Sequence, residues 1–337
     1  MTLQKILSKF QKLHSREIDL SLDRIRLLMS ELGNPQDKIK CVQVCGSNGK
    51  GSTISFLRSI LKEANYKCNV YTSPHIININ ERFVYNDEVI GDDDLANLLS
   101  EVHEVNNGKP LTYFEALTAG FFLGCMKYQD NIVLAEFGLF GRGDAVNILK
   151  KNLANCISSI SYDHLDWLPE NDRTIERIIY EKTSSLLNSN IIVAKQSSNK
   201  ITDCIKKNIS NNPANKIFYG EDYNFVLKEN DFFFYEDKYG SLKIPKPNIK
   251  GDFHIAEPGA TVAFAGRRVI QGTVKEELPS SFQLSESLTG FIDRICHRKN
   301  LNEEIGKLLS ILLKKNSIST EEINETSEDI KQISKTA

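Results

Sequence analysis

The sequence offers little that would tie the chain to a special environment. Its seven cysteines (Cys41, Cys45, Cys68, Cys125, Cys156, Cys204 and Cys296) include no C-x-x-C pair and are odd in number. That excludes a fully paired disulfide framework and the usual spacing of a structural zinc site. Most sit in apolar runs, where cysteine behaves as a small hydrophobe, and unpaired thiols fit a reducing cytoplasm. No hydrophobic run approaches the ~20 residues that a membrane-spanning helix needs. The opening stretch places Leu3, Ile6, Leu7, Phe10 and Leu13 at helical spacing, without the continuous apolar centre of a signal peptide. A net charge of −2 supplies no basic surface for nucleic acid. The expectation is a cytoplasmic, monomeric protein whose partners are small molecules rather than nucleic acid or membrane.

What is present is the composition of a globular protein. The 337 residues are 40% hydrophobic and 26% charged, enough for one large or two ordinary domains with a buried core. Helical periodicity predicts helices near 2–13, 19–32, 52–64, 92–105, 113–128 and 173–188. Short β-rich runs fall at 39–45, 67–71, 132–137, 155–161 and 190–194. This alternation predicts an α/β fold: a mostly parallel central sheet with helices on both faces. Between 216 and 250 the pattern changes to short strands separated by Asn, Asp and Gly, which predicts a small antiparallel meander. The expected boundary is at 272, with 1–272 as the main domain and 273–337 as a helical or disordered tail.

The densest chemistry lies in Gly46-Ser47-Asn48-Gly49-Lys50-Gly51-Ser52-Thr53. It follows the apolar run 41–45 and precedes an amphipathic run. A glycine-rich loop there puts bare N–H groups at a helix N-terminus, where they can cradle phosphates. Lys50 adds a positive charge, and Ser52 and Thr53 add hydroxyls. The strict Walker pattern is not met, because Val44 and Gly51 stand where it requires glycine and Ser or Thr. A tight strand-to-helix turn is the plainer alternative.

Other chemical groups follow predicted strands, where α/β proteins place ligands. They are Thr72-Ser73-Pro74-His75 with Asn80-Glu81-Arg82, the run 136–147 that opens on Glu136 and contains Asp144, and Asp163-His164. Glu181-Lys182 lies on a predicted helix. Each also has an ordinary use as a cap, an ion pair or a solvated charge. Together, a hydroxyl, a carboxylate and an imidazole at three strand ends can hold Mg²⁺ beside a nucleotide.

These blocks, with Phe114-Glu115-Ala116-Leu117-Thr118-Ala119, resemble the folylpolyglutamate synthase/dihydrofolate synthase family of Mur-ligase-like ATP-dependent amide ligases. They fall in that family's order over roughly residues 1–270. The resemblance implies that ATP phosphorylates a carboxylate on a dihydropteroate or folate acceptor and that L-glutamate displaces the phosphate. It implies that Lys50 and the amides of 46–53 hold ATP, and that Ser73, Glu136 and His164 hold Mg²⁺. Lys182 matches a lysine that is carbamylated in the family and helps hold a second metal. It implies catalytic roles for Lys50, Lys182 and His164, and an acceptor site at Asn80, Glu81, Arg82 and Asp144. The alternative is an inactive relative that binds nucleotide or pterin without turnover. The departures are Phe140 in place of glycine, Gly143 in place of leucine, Val146 in place of threonine and Thr183-Ser184-Ser185 after Lys182. Later, Glu257-Pro258 stands where the family has Asn-Ala, and no match to the C-terminal domain is found beyond 272.

Overall fold

The computed structural model describes residues 1–14, 19–228, 232–238 and 240–245. Two short helices, α1 (Leu3–Phe10) and α2 (Asp23–Glu31), precede the first strand, β1 (Lys40–Cys45). Then come α3 (Lys50–Glu63), β2 (Cys68–Tyr71), β3 (Phe83–Tyr85), β4 (Glu88–Val89), α4 (Asp92–Asn106) and α5 (Tyr113–Gly124). β5 (Ile132–Glu136), β6 (Ala154–Ile157), α6 (Ile175–Thr183), β7 (Asn190–Val193), α7 (Asn199–Ile209) and β8 (Lys216–Phe218) complete the main sheet and its helices.

The eight strands are ordered β4-β3-β2-β5-β1-β6-β7-β8. The six from β2 to β8 run parallel, and β3 and β4 turn back antiparallel at one edge. Parallel strands covered on both faces must be apolar throughout, and β2 and β5 are buried at every position. In register, Val44 lies opposite both Glu136 and Cys156. The carboxyl ends of β1, β5 and β6 therefore open onto one edge of the sheet, and the loops that follow them gather there.

α5 shows why the core packs closely. A capping box of Thr112 and Glu115 starts it, and Glu115 also accepts from Arg24 Nε at 3.0 Å. Its body is almost wholly apolar and buried. A Cβ on Gly120 would come within 2.8 Å of Leu99, and one on Gly124 within 2.4 Å of Tyr85. Those glycines let α5 lie against its neighbours, and Phe121 then stacks on Tyr71 at 4.8 Å and on Tyr85 at 5.6 Å.

The expected alternation is present, with three corrections. Lys216–Phe218, read as the first strand of the meander, is instead the parallel edge strand β8, with Ile192 opposite Ile217. It is delivered there by α7, which the periodicity missed because only Ile201, Ile205 and Ile209 form its thin apolar stripe. The helix expected to run to 128 leaves α geometry at Gly124 and ends in a 3₁₀ turn, Cys125–Tyr128. The antiparallel meander consists of β9 (Tyr223–Lys228), β10 (Phe232–Asp237) and β11 (Gly240–Pro245). The boundary at 272 and the tail 273–337 lie outside the described residues. Among the described residues, no helix is long and apolar enough to cross a membrane.

Phe121→Ala should lower unfolding free energy by about 3–5 kcal/mol, the usual result of removing a fully buried phenylalanine. Urea denaturation measures it. A loss below about 1 kcal/mol would mean that the aromatic cluster is not central to the core.

Candidate functional site

The loop between β1 and α3 is held by the loop after β6. Gly46 has φ +138°, and a Cβ there would fall 2.0 Å from Ser158 Oγ. Only glycine permits that approach. The Ser47 and Asn48 N–H groups both donate to Ser159 O, at 2.9 and 3.1 Å. Ser47 Oγ donates to Ser161 O, and Asn48 Nδ2 donates to Ser161 Oγ. The structure thus spends Ser47 and Asn48 on anchoring the loop. Gly49, in the left-handed region at φ +85°, turns the chain into α3. The first N–H groups of α3, at Lys50, Gly51 and Ser52, have no carbonyl a turn earlier to accept them and can receive an anion. Thr53 turns its hydroxyl back to Gly49 O at 2.8 Å.

Two lysines converge on one carbonyl. Lys50 Nζ donates to Gly46 O at 3.2 Å and lies 3.9 Å from Glu136 Oε1. Lys182 Nζ, fully buried, donates to Gly46 O and to Leu139 O, each at 3.0 Å. It lies 3.7 Å from Asp163 and 5.5 Å from the Phe140 ring centroid. Burial, with the Lys50 charge adding to it, pulls Lys182 down to about 8.

Glu136, at the buried end of β5, accepts the Ser73 N–H at 3.3 Å. The Ser73 hydroxyl is buried and has no hydrogen-bond partner. An orphaned oxygen beside a buried carboxylate fits a hard cation such as Mg²⁺. His164 lies nearby in the fold at φ 54°, with Nε2 3.2 Å from Asp163 and its ring edge-on to Phe140 at 6.0 Å. Burial, and then Lys182 and Lys50, lower its pKa against the opposing pull of Asp163. Among the described residues, no three His, Cys, Asp or Glu side chains form a ready-made metal cage. Asp163 belongs to this cluster and was given no role from the sequence, although an acid beside a histidine at a strand end is a readable signal.

The residues of the expected acceptor site each make contacts within the fold. Glu81 is occupied by the N–H groups of Ile76, Ile77 and Asn78, at 2.8–2.9 Å. Asn80 donates to Ile90 O and to Asp92. Both hold the 73–82 loop in shape. Arg82 donates to His75 Nδ1 at 2.9 Å, which makes those two the loop's paired polar groups. Asp144 is buried and accepts from the Leu139 and Val146 N–H groups at 2.9 and 3.0 Å, bracing the loop after β5.

Residues 44–263 match the Mur ligase middle domain. The dihydrofolate synthase/folylpolyglutamate synthase of Escherichia coli K12 is 29% identical over 310 residues, covering 88% of this chain and 70% of that protein. The solved structure of E. coli FolC in complex with DHPP and ADP superposes with a TM-score of 0.70 at 29% identity, covering 86% of this chain and 64% of that one. The chain belongs to the folylpolyglutamate synthase/dihydrofolate synthase branch of the Mur ligase family. It spans about two thirds of the length of these ligases. A different similarity is also present. The acetyl-coenzyme A carboxylase carboxyl transferase subunit beta of Pelagibacter ubique is 63% identical over 89 residues, 26% of this chain and 29% of that protein.

Burial pushes the Asp144 carboxyl up to about 6, against the pull of the Leu139, Val146 and Gly138 N–H groups. An unfolded aspartate titrates near 4, so between about pH 4 and 6 the native state holds a proton that the unfolded state has released. Stability attributable to Asp144 therefore falls as pH rises through that window, by roughly 3 kcal/mol. Urea unfolding at pH 4 and pH 7 should show a larger loss for wild type than for Asp144→Asn. Equal losses in the two proteins would contradict the assignment.

Proposed function

We propose that this chain is an ATP-dependent ligase that joins L-glutamate to dihydropteroate or folate through an acyl phosphate. The observation that carries the reading is the convergence of Lys50 and Lys182 on Gly46 O, beside Glu136 and the unpaired Ser73 hydroxyl. The family relationship supplies the reaction class, and the E. coli relative was solved with DHPP and ADP.

On this reading Lys50 leaves Gly46 O and, with the N–H groups at the start of α3, receives the β- and γ-phosphates. Ser73, Glu136 and His164 hold Mg²⁺, which supplies charge neutralisation to the transferring phosphoryl group. Lys182 and Asp163 fix the field on the opposite side of the loop. The chain's contribution is positioning and preorganised charge, which are the main requirements of phosphoryl transfer. The family resemblance gives the acceptor site to Asn80, Glu81, Arg82 and Asp144, with Arg82 paired to His75.

Purified protein with Mg²⁺, ATP, dihydropteroate and glutamate should release ADP only when all are present. Lys50→Ala and Glu136→Ala should each lower the rate by about a hundredfold or more. Tight ATP binding without ADP release would overturn the ligase reading in favour of a binding-only protein.

The 63% match favours a second origin for the end of the chain. An 89-residue match at that identity is hard to reconcile with the ligase motifs between Gly46 and Lys182, whereas the stretch after Pro245 is just long enough to hold it. We infer that part of the stretch after Pro245 is carboxyltransferase sequence, joined to a ligase similarity that itself reaches past that point, to residue 263 in the Mur ligase match. Hydrogen exchange on the full chain, with and without a non-hydrolysable ATP analogue, separates that origin from a ligase C-terminal domain. Protection should change around 46–53 and stay constant beyond 245. New protection beyond 245 on adding nucleotide would restore a domain that closes over ATP.

A further inference from the structure

Gln196, in the loop after β7, spends its whole side-chain amide on backbone groups. Its Oε1 accepts the Ile160 N–H at 2.9 Å, and its Nε2 donates to Ser158 O at 3.2 Å and to Ala194 O at 2.9 Å. A backbone N–H only donates and a carbonyl only accepts, so these partners fix which end of the amide points which way. The segment it grips is the one that seats the phosphate loop. Ser159 O accepts the Ser47 and Asn48 N–H groups, and Asn48 and Ser159 form an isolated antiparallel bridge. Ser47 Oγ accepts the Ser161 N–H at 3.1 Å and donates to Ser161 O at 2.9 Å. Ser158 gives both its N–H and its hydroxyl to Cys45 O, at 2.9 and 3.1 Å. The loops after β1, β6 and β7 are therefore bonded in series, in the order of their strands in the sheet.

We propose that Gln196 is a positioning residue that fixes the 158–161 segment against the end of β7 and, through that segment, sets where the phosphate loop stands. The backbone ladder between β6 and β7 closes with the Ala194 N–H on Ile157 O at 2.8 Å. Beyond that bond the Gln196 side chain continues it, to Ser158 and Ile160. Only an amide of this length serves both backbone groups. Glutamate keeps the acceptor but cannot donate to Ser158 O, methionine keeps the length and offers neither, and asparagine is a methylene short. Without the amide, Ile160 N–H and Ser158 O lose this partner and must find water or move. Ser159 lies between them, so movement there reaches the Ser47 and Asn48 N–H groups directly. The consequence for nucleotide affinity and turnover rests on the ligase reading above. The consequence for Ser47 and Asn48 does not.

The test compares Gln196→Met with wild type, and with Gln129→Met, which removes an exposed amide far from the loop in sequence and should leave it unchanged. Hydrogen exchange is read residue by residue by NMR. In Gln196→Met, exchange at Ser47 and Asn48 should speed up roughly tenfold while the β5 amides keep their wild-type rates, because a local anchor and not the global fold is lost. Kd for a non-hydrolysable ATP analogue with Mg²⁺ should rise roughly tenfold, and Gln196→Met should add little to Ser47→Ala, since both act through the 158–161 segment. In turnover, KM for ATP should rise with kcat changed by less than about twofold. Unchanged exchange at Ser47 and Asn48, or an equal rise in β5, overturns the proposal, as does full additivity with Ser47→Ala. Should Gln196→Met not fold, Gln196→Glu carries the same comparison, since it keeps the length and the bond from Ile160. If wild type neither binds the analogue nor releases ADP, the ligase reading fails by itself, and exchange at Ser47 and Asn48 still decides the role of Gln196.

Discussion

The site depends on how closely Gly46 approaches the chain after β6. With Ser158 Oγ only 2.0 Å from where a Cβ would stand, the bare Cα of Gly46 lets the loop seat against the chain just after β6. Seated there, the Gly46 carbonyl points where two lysines reach it. Each lysine raises the cost of the other's charge, and burial raises it further for Lys182. On the ligase reading proposed above, a polyanion at the start of α3 would relieve that repulsion. Glu136, Asp163 and the two carbonyls keep the cluster folded when no anion is bound.

The parallel sheet converts sequence distance into proximity. Gly46, Ser73, Glu136 and His164 are spread over more than a hundred residues, yet each lies at or beyond the carboxyl end of a parallel strand, and those ends open on the same edge. Lys182 differs. It reaches the loop from a helix, through the Arg142–Glu181 pair and the bare Cα of Gly141, which bring α6 against the loop after β5. Phe140 sits at that junction.

The strands that form the sheet were legible because parallel strands are apolar throughout, and the phosphate loop was legible because glycine punctuates the change from β1 to α3. Lys182 read by periodicity as a solvated helical charge, because burial by a partner loop leaves no trace in local sequence. For Glu81 and Asn80 the resemblance implies an acceptor role, and what local sequence does not show is that they also tie up the loop's own N–H and C=O groups. α7 was missed because an edge helix needs only a thin apolar stripe. β8 was misassigned with it, since a three-residue strand takes its direction from the helix that delivers it.

The departures from the family pattern also divide in a physical way. Those before Pro245 are local and can be weighed against contacts: Phe140 fills a site between two catalytic candidates, and Gly143 meets Leu20, which would lie 2.8 Å from any Cβ placed there. Such changes are accommodated by the packing around them. Those after Pro245, with Glu257-Pro258 foremost, lose a side-chain amide donor and a backbone N–H together. Gradual decay would scatter losses along the whole ligase pattern. An abrupt change of pattern is what a join between two unrelated sequences produces, and a 63% match over 89 residues to a carboxyltransferase subunit supplies the second of them. On that inference, the competence of the ligase site is judged first on the residues from Gly46 to Lys182, and Glu257-Pro258 stands at the end of the Mur ligase match, close to where the two sequences would join.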